Sequence, residues 1–217
     1  MIIKGCIFDL DGTLVDTRES LKQAVNMVME KLSLPPITLE QTRQFVGNGA
    51  KMLIERAILA GGGSANRTGE ALQIYKEIFP GLCTYKVVTY EGITELLYFL
   101  KEKGIKMGVC SNKPDLETQI VCKEVFGEDL FEYIKGQVDE MPHKPDPAIV
   151  NHALTYMSMT SEQCLYIGDS EVDMQTANVA GLYAVGVSWG FRDVALLKQE
   201  GADIIIDKPV ELKGFFK

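Results

Sequence analysis

Short apolar runs punctuate this chain, and between them lie stretches in which apolar residues return every three or four positions. The first run, Ile2-Ile3-Lys4-Gly5-Cys6-Ile7-Phe8, stops at Asp9. Further runs occupy 105–110, 133–136, 163–167, 184–187 and 202–206. Each has the length of a buried strand. Ile93, Leu96, Leu97 and Leu100 recur at i, i+3, i+4 and i+7, which is one face of a helix. The alternation of strands and helices predicts an α/β fold: a doubly wound, mostly parallel sheet.

The span 17–85 breaks the alternation. Leu21, Val25, Val28, Met29 and Leu32 mark a helix that ends before Pro35-Pro36. Thr38 and Gln41 form a capping box that opens a second helix. Ala50, Leu53, Ile54, Ala57 and Ile58 mark a third, and a fourth is predicted over 68–79, after the Gly61-Gly62-Gly63-Ser64 turn. The expected organisation is a core of residues 1–16 and 86–217, with an α-helical domain of residues 17–85 inserted after the first strand.

With 217 residues, 46% of them hydrophobic, the chain can bury a sizeable core. A formal net charge of -8 disfavours nucleic acid and anionic membrane surfaces as partners. No apolar run approaches the ~20 residues of a membrane span. Asp9 and Asp11 interrupt the N-terminal run, so no signal peptide is read there and a cytoplasmic location is expected. The five cysteines show no C-x-x-C spacing, and Cys6, Cys110 and Cys164 read as buried thiols. Two histidines, His143 and His152, make a His-rich zinc site unlike this chain.

Candidate chemistry collects where the apolar runs end, as ligand sites do in open α/β sheets. Asp9-Leu10-Asp11-Gly12-Thr13 follows the first run. Two carboxylates ~4 Å apart repel by ~4 kcal/mol at an effective dielectric of about 20, so the pair calls for a cation or a proton. Ser111-Asn112-Lys113 follows the run that ends at Cys110. Gly168-Asp169-Ser170-Glu171-Val172-Asp173 follows the run that ends at Ile167. His143-Lys144-Pro145-Asp146-Pro147 precedes a predicted helix at 148–156. Each segment also has a purely structural reading. Ser111 would cap a helix opening at Pro114, Ser170 and Asp173 would form a capping box, Asp146 would sit at a helix N-terminus, and Lys144 would be a solvated loop lysine.

In these four segments, taken in chain order, the chain resembles the haloacid dehalogenase superfamily of aspartyl-nucleophile phosphohydrolases, over nearly its whole length. The insertion at 17–85 is similar to that superfamily's small cap, and the core to its Rossmann-like sheet. Val46-Gly47-Asn48-Gly49-Ala50, Ser111-Asn112-Lys113-Pro114 and Trp189-Gly190-Phe191-Arg192 resemble the phosphoglycolate phosphatase branch. Glu91, in Tyr90-Glu91-Gly92, departs from the proline that many relatives carry there.

The resemblance implies an Mg²⁺-dependent phosphomonoester hydrolase acting on a small anionic phosphorylated metabolite, as a monomer or homodimer. Asp9 would be the nucleophile and Asp11 the general acid and base, with Gly12 allowing its turn and Thr13 holding it. Asp9, Asp169 and the backbone carbonyl of Asp11 would hold the metal, with Asp173 orienting them. Lys144 and Ser111, with the amides of Leu10, Asp11 and Asn112, would bind the phosphoryl group. Gly47, Asn48, Gly49 and Lys51 would read a substrate carboxylate, and Arg18 and Arg192 are further candidates for anion contacts. A β-phosphoglucomutase-like phosphomutase and a pyrophosphatase or nucleotidase remain open on the same fold. A haloacid dehalogenase proper needs neither the metal nor Asp11, and a signalling receiver carries its acceptor on a later strand without an inserted cap.

Overall fold

A computed structural model describes residues 3–216; Ile2, at the head of the first apolar run, lies outside them. Six strands form one parallel sheet: β1 (Gly5–Phe8), β4 (Lys106–Pro114), β5 (Tyr133–Gln137), β6 (Cys164–Gly168), β7 (Tyr183–Val187) and β8 (Ile204–Ile206). Their spatial order is β5-β4-β1-β6-β7-β8. β1 lies at the centre, with Phe8 opposite Val109 on one side and Ile167 on the other. All four residues of β1 and all five of β6 are buried, as a parallel sheet covered on both faces requires. The order reverses beside β1, and the carboxyl ends of β1, β4 and β6 meet there.

Helices α5 (Ile93–Glu102), α6 (Asp115–Phe126), α7 (Ala148–Tyr156), α8 (Glu171–Ala180) and α9 (Val194–Gln199) cover the sheet. Two separate hydrophobic cores form on it. One includes Phe8, Val109, Ile167 and Leu97, and the other Ile7, Tyr166, Val150 and Met174. Successive β1 residues point to opposite faces, so Ile7 and Phe8 fall into different cores.

Between β1 and β4 the chain passes through α1 (Arg18–Lys31), α2 (Leu39–Phe45), α3 (Gly49–Ala60) and α4 (Thr68–Ile78). Thr38 and Gln41 make the reciprocal capping box that opens α2. The chain leaves and re-enters the core through a two-stranded antiparallel ribbon, β2 (Val15–Asp16) with β3 (Val88–Thr89). Neither strand is long enough to register as a hydrophobic run, and both escape sequence reading.

One boundary departs from expectation. β4 does not end at Cys110 but continues through Ser111-Asn112-Lys113 to Pro114. Its pairing with β5 lapses after Cys110 and resumes at Pro114 opposite Gln137. The cap of α6 is therefore Pro114, and Ser111 is not a helix cap; its Oγ accepts from the Lys113 amide at 3.2 Å. All five cysteines are free and buried. Among the described residues no helix is long and apolar enough to cross a membrane.

Candidate active site

The Asp9 amide donates to the Ile167 carbonyl at 2.9 Å, extending the β1 ladder one residue beyond the strand. The chain then turns sharply: the Leu10 carbonyl accepts the amides of Leu14 and Val15, and the Gly12 amide donates back to Val15. Gly12 sits at φ +95°, and a Cβ there would lie 2.4 Å from Asp169 Oδ2. Only glycine allows both the turn and the approach of Asp169. Thr13 Oγ1 donates to Asp169 Oδ1 at 3.2 Å. Thr13 thus holds Asp169 and not Asp11, a correction that follows from β6 ending beside β1.

Asp9, Asp169 and Asp173 offer carboxylate oxygens that all lie within 4.8 Å of one another, and all three residues are buried. A pair of such charges repels by about 3 kcal/mol at an effective dielectric near 20. Lys144 enters this cluster, only 4% exposed. Its Nζ shares three protons among four acceptors: Asp9 Oδ1 at 2.9 Å, Asp173 Oδ1 at 2.8 Å, the Tyr166 hydroxyl at 2.9 Å and the Cys110 carbonyl at 3.0 Å. The solvated-loop reading of Lys144 is thereby excluded. Tyr166 in turn donates to Asp173 Oδ1 at 3.1 Å. Asp173 Oδ2 accepts from the Ser170 amide and hydroxyl, and the Ser170 hydroxyl accepts from the Asp173 amide. The capping box and the site role therefore coexist in one carboxylate.

The Asp9 carboxyl is raised to about 7, chiefly by burial and further by the Asp173 and Asp11 charges, against the Lys144 charge and hydrogen bond, which pull it down. Burial also raises Asp169 well above the usual carboxylate range, with the Asp173 and Asp9 charges adding to the rise. Burial alone would lower Lys144, but the Asp173 and Asp9 charges outweigh it and hold the ammonium well above its ordinary value. Three carboxylates against one ammonium leave two negative charges uncompensated when all are ionised. Asp9 Oδ2 accepts no hydrogen bond from the described residues. The donors are all oxygen. Such a set fits a hard divalent cation better than zinc.

The Asp11 carboxylate lies outside this cluster. Both its oxygens accept from Lys113 Nζ, at 3.0 and 3.2 Å. The Lys113 side chain is buried, with Nζ 4.8 Å from the centre of the Phe79 ring on the helical insertion. Asn112 ties the same region together. Its Nδ2 donates to the carbonyls of Gly47 and Lys144, and its Oδ1 accepts from the Lys144 amide at 2.9 Å. Over the site the insertion closes an apolar wall of Leu21, Val46, Ala50, Leu53, Tyr75 and Phe79, leaving about 40 Å³ of free space. That is room for about three waters.

A family model described as haloacid dehalogenase-like hydrolase matches residues 6–187. The chain belongs to this family. It is 32% identical over 212 residues to a phosphoglycolate phosphatase of Colwellia psychrerythraea, covering 95% of this chain and 93% of that one. A phosphoglycolate phosphatase of Pseudomonas putida is 32% identical over 206 residues, 93% of this chain and 75% of its own. The crystal structure of a putative phosphoglycolate phosphatase from Lactobacillus delbrueckii superposes with a TM-score of 0.90 at 30% identity, covering 99% of both chains.

Within the family fold, Asp9, Ser111, Asn112, Lys144, Asp169 and Asp173 converge on one cavity, joined by Gly47 and Gly49 from the insertion. The other two insertion candidates stand apart. Lys51 is exposed, and neither it nor Asn48 lines the cavity. Asn48 Oδ1 accepts from Arg56 Nη2 at 2.9 Å, so its side chain is tied within the insertion. Arg18 pairs with Asp16 at 2.6 Å, away from the cavity. Asp146 is exposed and accepts from the Ala148 amide, which is the helix-start reading. Sequence reasoning overlooked roles for Lys113 and Tyr166. Lys113 had a signal, since it stands in the Ser-Asn-Lys segment. Tyr166 had none, because an aromatic in a buried strand reads as core.

Proposed function

We propose that the protein is an Mg²⁺-dependent phosphomonoesterase whose substrate is a small ester carrying a second anionic group, of the 2-phosphoglycolate kind. Family membership and the phosphoglycolate phosphatase relatives make it a phosphatase. The observation that carries the finer reading is Lys113. It is a buried cation at the small site cavity, beneath Phe79 and paired with Asp11, where a leaving-group carboxylate can compete for it. A leaving group of a few atoms also needs the least rearrangement of so small a cavity, which favours glycolate over a sugar and hydrolase over phosphomutase.

Asp9, Asp169 and the Asp11 carbonyl would hold Mg²⁺, with Asp173 held away by Lys144, Tyr166 and Ser170. The ion supplies positive charge that offsets repulsion between a carboxylate and a phosphoryl dianion. Asp9 Oδ2 attacks phosphorus in line. An aspartyl-phosphate forms as the bond to the leaving oxygen breaks. Lys144 keeps Asp9 oriented through Oδ1, and Ser111 with the amides of Leu10, Asp11 and Asn112 binds the phosphoryl oxygens. Asp11 can carry a proton once the substrate carboxylate has taken Lys113 from it; it gives that proton to the leaving alkoxide and then takes one from the water that hydrolyses the intermediate. The insertion of residues 17–85 acts as a cap that excludes bulk water during both steps.

The test is phosphate release from 2-phosphoglycolate and from uncharged alkyl phosphates, with and without Mg²⁺. Release should need the metal, prefer the carboxylated ester and vanish in Asp9→Asn. Isomerisation of a sugar phosphate without phosphate release would overturn the reading.

A further inference from the structure

The Trp189-Gly190-Phe191-Arg192 segment, which follows β7, joins three parts of the molecule. On the core side, Trp189 Nε1 donates to the Thr13 carbonyl at 3.1 Å, and the Phe191 amide donates to Asp169 Oδ2 at 2.7 Å. Gly190 is pressed so closely on Asp169 that a Cβ would lie 2.2 Å from the Asp169 Cβ. On the insertion side, Arg192 donates from Nη1 to the Arg43 carbonyl at 2.8 Å and from Nη2 to the Val46 carbonyl at 2.6 Å. Arg43 answers with a hydrogen bond from Nη1 to the Phe191 carbonyl. Each arginine thus grips the backbone of the element that carries the other.

The chemistry of the grip is specific. Arg43 and Val46 lie at the C-terminal end of α2, where carbonyls lack helical partners and the helix dipole is negative. A guanidinium fork serves two such carbonyls at once, which an ammonium does less well. Arg192 is held in register by Glu171, at 3.0 Å from Nε. Phe191 is consequently held at both backbone groups: its carbonyl by Arg43 from the insertion, its amide by Asp169 in the site. Opening the insertion about the β2–β3 ribbon must release the first of these, and the amide of the same residue holds the Asp169 carboxylate.

We propose that Arg43 and Arg192 are positioning residues: a reciprocal clasp that couples closure of the helical insertion to the setting of Asp169 for metal binding. This rests on Asp169 being a cation-holding carboxylate, as in the proposed function. Arg192, which also lines the cavity, then acts as a backbone clamp. Because coupling is reciprocal, Mg²⁺ bound at Asp169 favours the closed insertion as much as closure favours Mg²⁺.

Calorimetric titration of Mg²⁺ into the full-length protein without substrate tests it, on Arg43→Ala, Arg192→Ala, the double variant and Arg192→Lys. Arg67→Ala serves as control, since among the described residues Arg67 bonds to Leu32 and Glu70, both within the insertion. Loss of a group that orients a metal ligand typically costs 10–100-fold in affinity. Each single alanine variant should therefore weaken Mg²⁺ binding about tenfold. The double variant should be no weaker than either, Lys should not restore Arg192, and the control should match wild type. Affinities within twofold of wild type in both single variants would overturn the clasp. So would additive losses in the double variant, or an equal loss in Arg67→Ala. Wild type that binds no Mg²⁺ would overturn the functional reading itself, whereas binding untouched in the arginine variants overturns only the coupling.

Discussion

At the scale of single residues, the site is a set of buried charges that satisfy one another incompletely. Lys144 holds Asp9 and Asp173 apart in role: Asp173 has hydrogen bonds on both oxygens, and Asp9 keeps Oδ2 open. Asp169 is fixed by Thr13 and Phe191 and crowded by Gly12 and Gly190. Gly12→Ala should therefore fail twice, through the φ +95° backbone and through the 2.4 Å approach to Asp169 Oδ2. Non-glycine residues in the left-handed region cost about 1–2 kcal/mol before any clash. We expect a destabilisation of about 2 kcal/mol or more by urea melting, with Mg²⁺ affinity reduced in the fraction that remains folded. The Asp-x-Asp-Gly-Thr spacing was legible in the sequence. The partner of Thr13 was not, because it lies 156 residues away.

At the scale of elements, the polar ends of β1, β4 and β6 are brought together by sheet order alone. The extension of β4 through Lys113 is what sends that side chain to Asp11 and beneath Phe79; a helix begun at Pro114 with Ser111 as its cap would give a different path. The start of α3 was expected to read a substrate carboxylate through Lys51, and the element faces that side chain to solvent. Two substitutions separate the two lysines. Lys51→Ala should leave the preference for carboxylated over neutral phosphoesters unchanged. Lys113→Ala should lower kcat/KM on carboxylated esters by about tenfold more than on neutral ones, the scale of one charge-assisted hydrogen bond. Equal losses on both ester classes in Lys113→Ala would remove its role in selection.

At the scale of the whole molecule, burial of three carboxylates couples metal, proton and stability. Asp9 titrates near 7 in the fold against 3.8 for the ordinary group. Between those values the unfolded chain binds fewer protons than the folded one, so stability falls as pH rises through the window. Asp169, also raised, acts in the same direction. Lys144, raised, contributes stability fully present below its ordinary value of 10.5 and lost only above it, so it does not oppose the trend here. A divalent cation held by the ionised carboxylates, as proposed, would reverse the loss. The Mg²⁺-induced rise in Tm should thus be small near pH 4, grow through pH 7 and then level off. At a hundred times Kd it corresponds to about 2.7 kcal/mol, or roughly 5–10 °C for a chain of this size. Taking the difference with and without metal cancels the surface carboxylates. A shift that is constant with pH would contradict the buried-cluster account. What the sequence by itself determined was the strands of the main sheet and their alternation with helices, the insertion of four helices after the first strand, and which polar segments stand at strand ends, because periodicity, caps and turns are local. Only the tertiary structure decided that Thr13 holds Asp169, that Lys113 holds Asp11, that Lys51 faces solvent and that Arg192 clasps the insertion, because each contact depends on how distant elements pack and leaves no local trace in the chain.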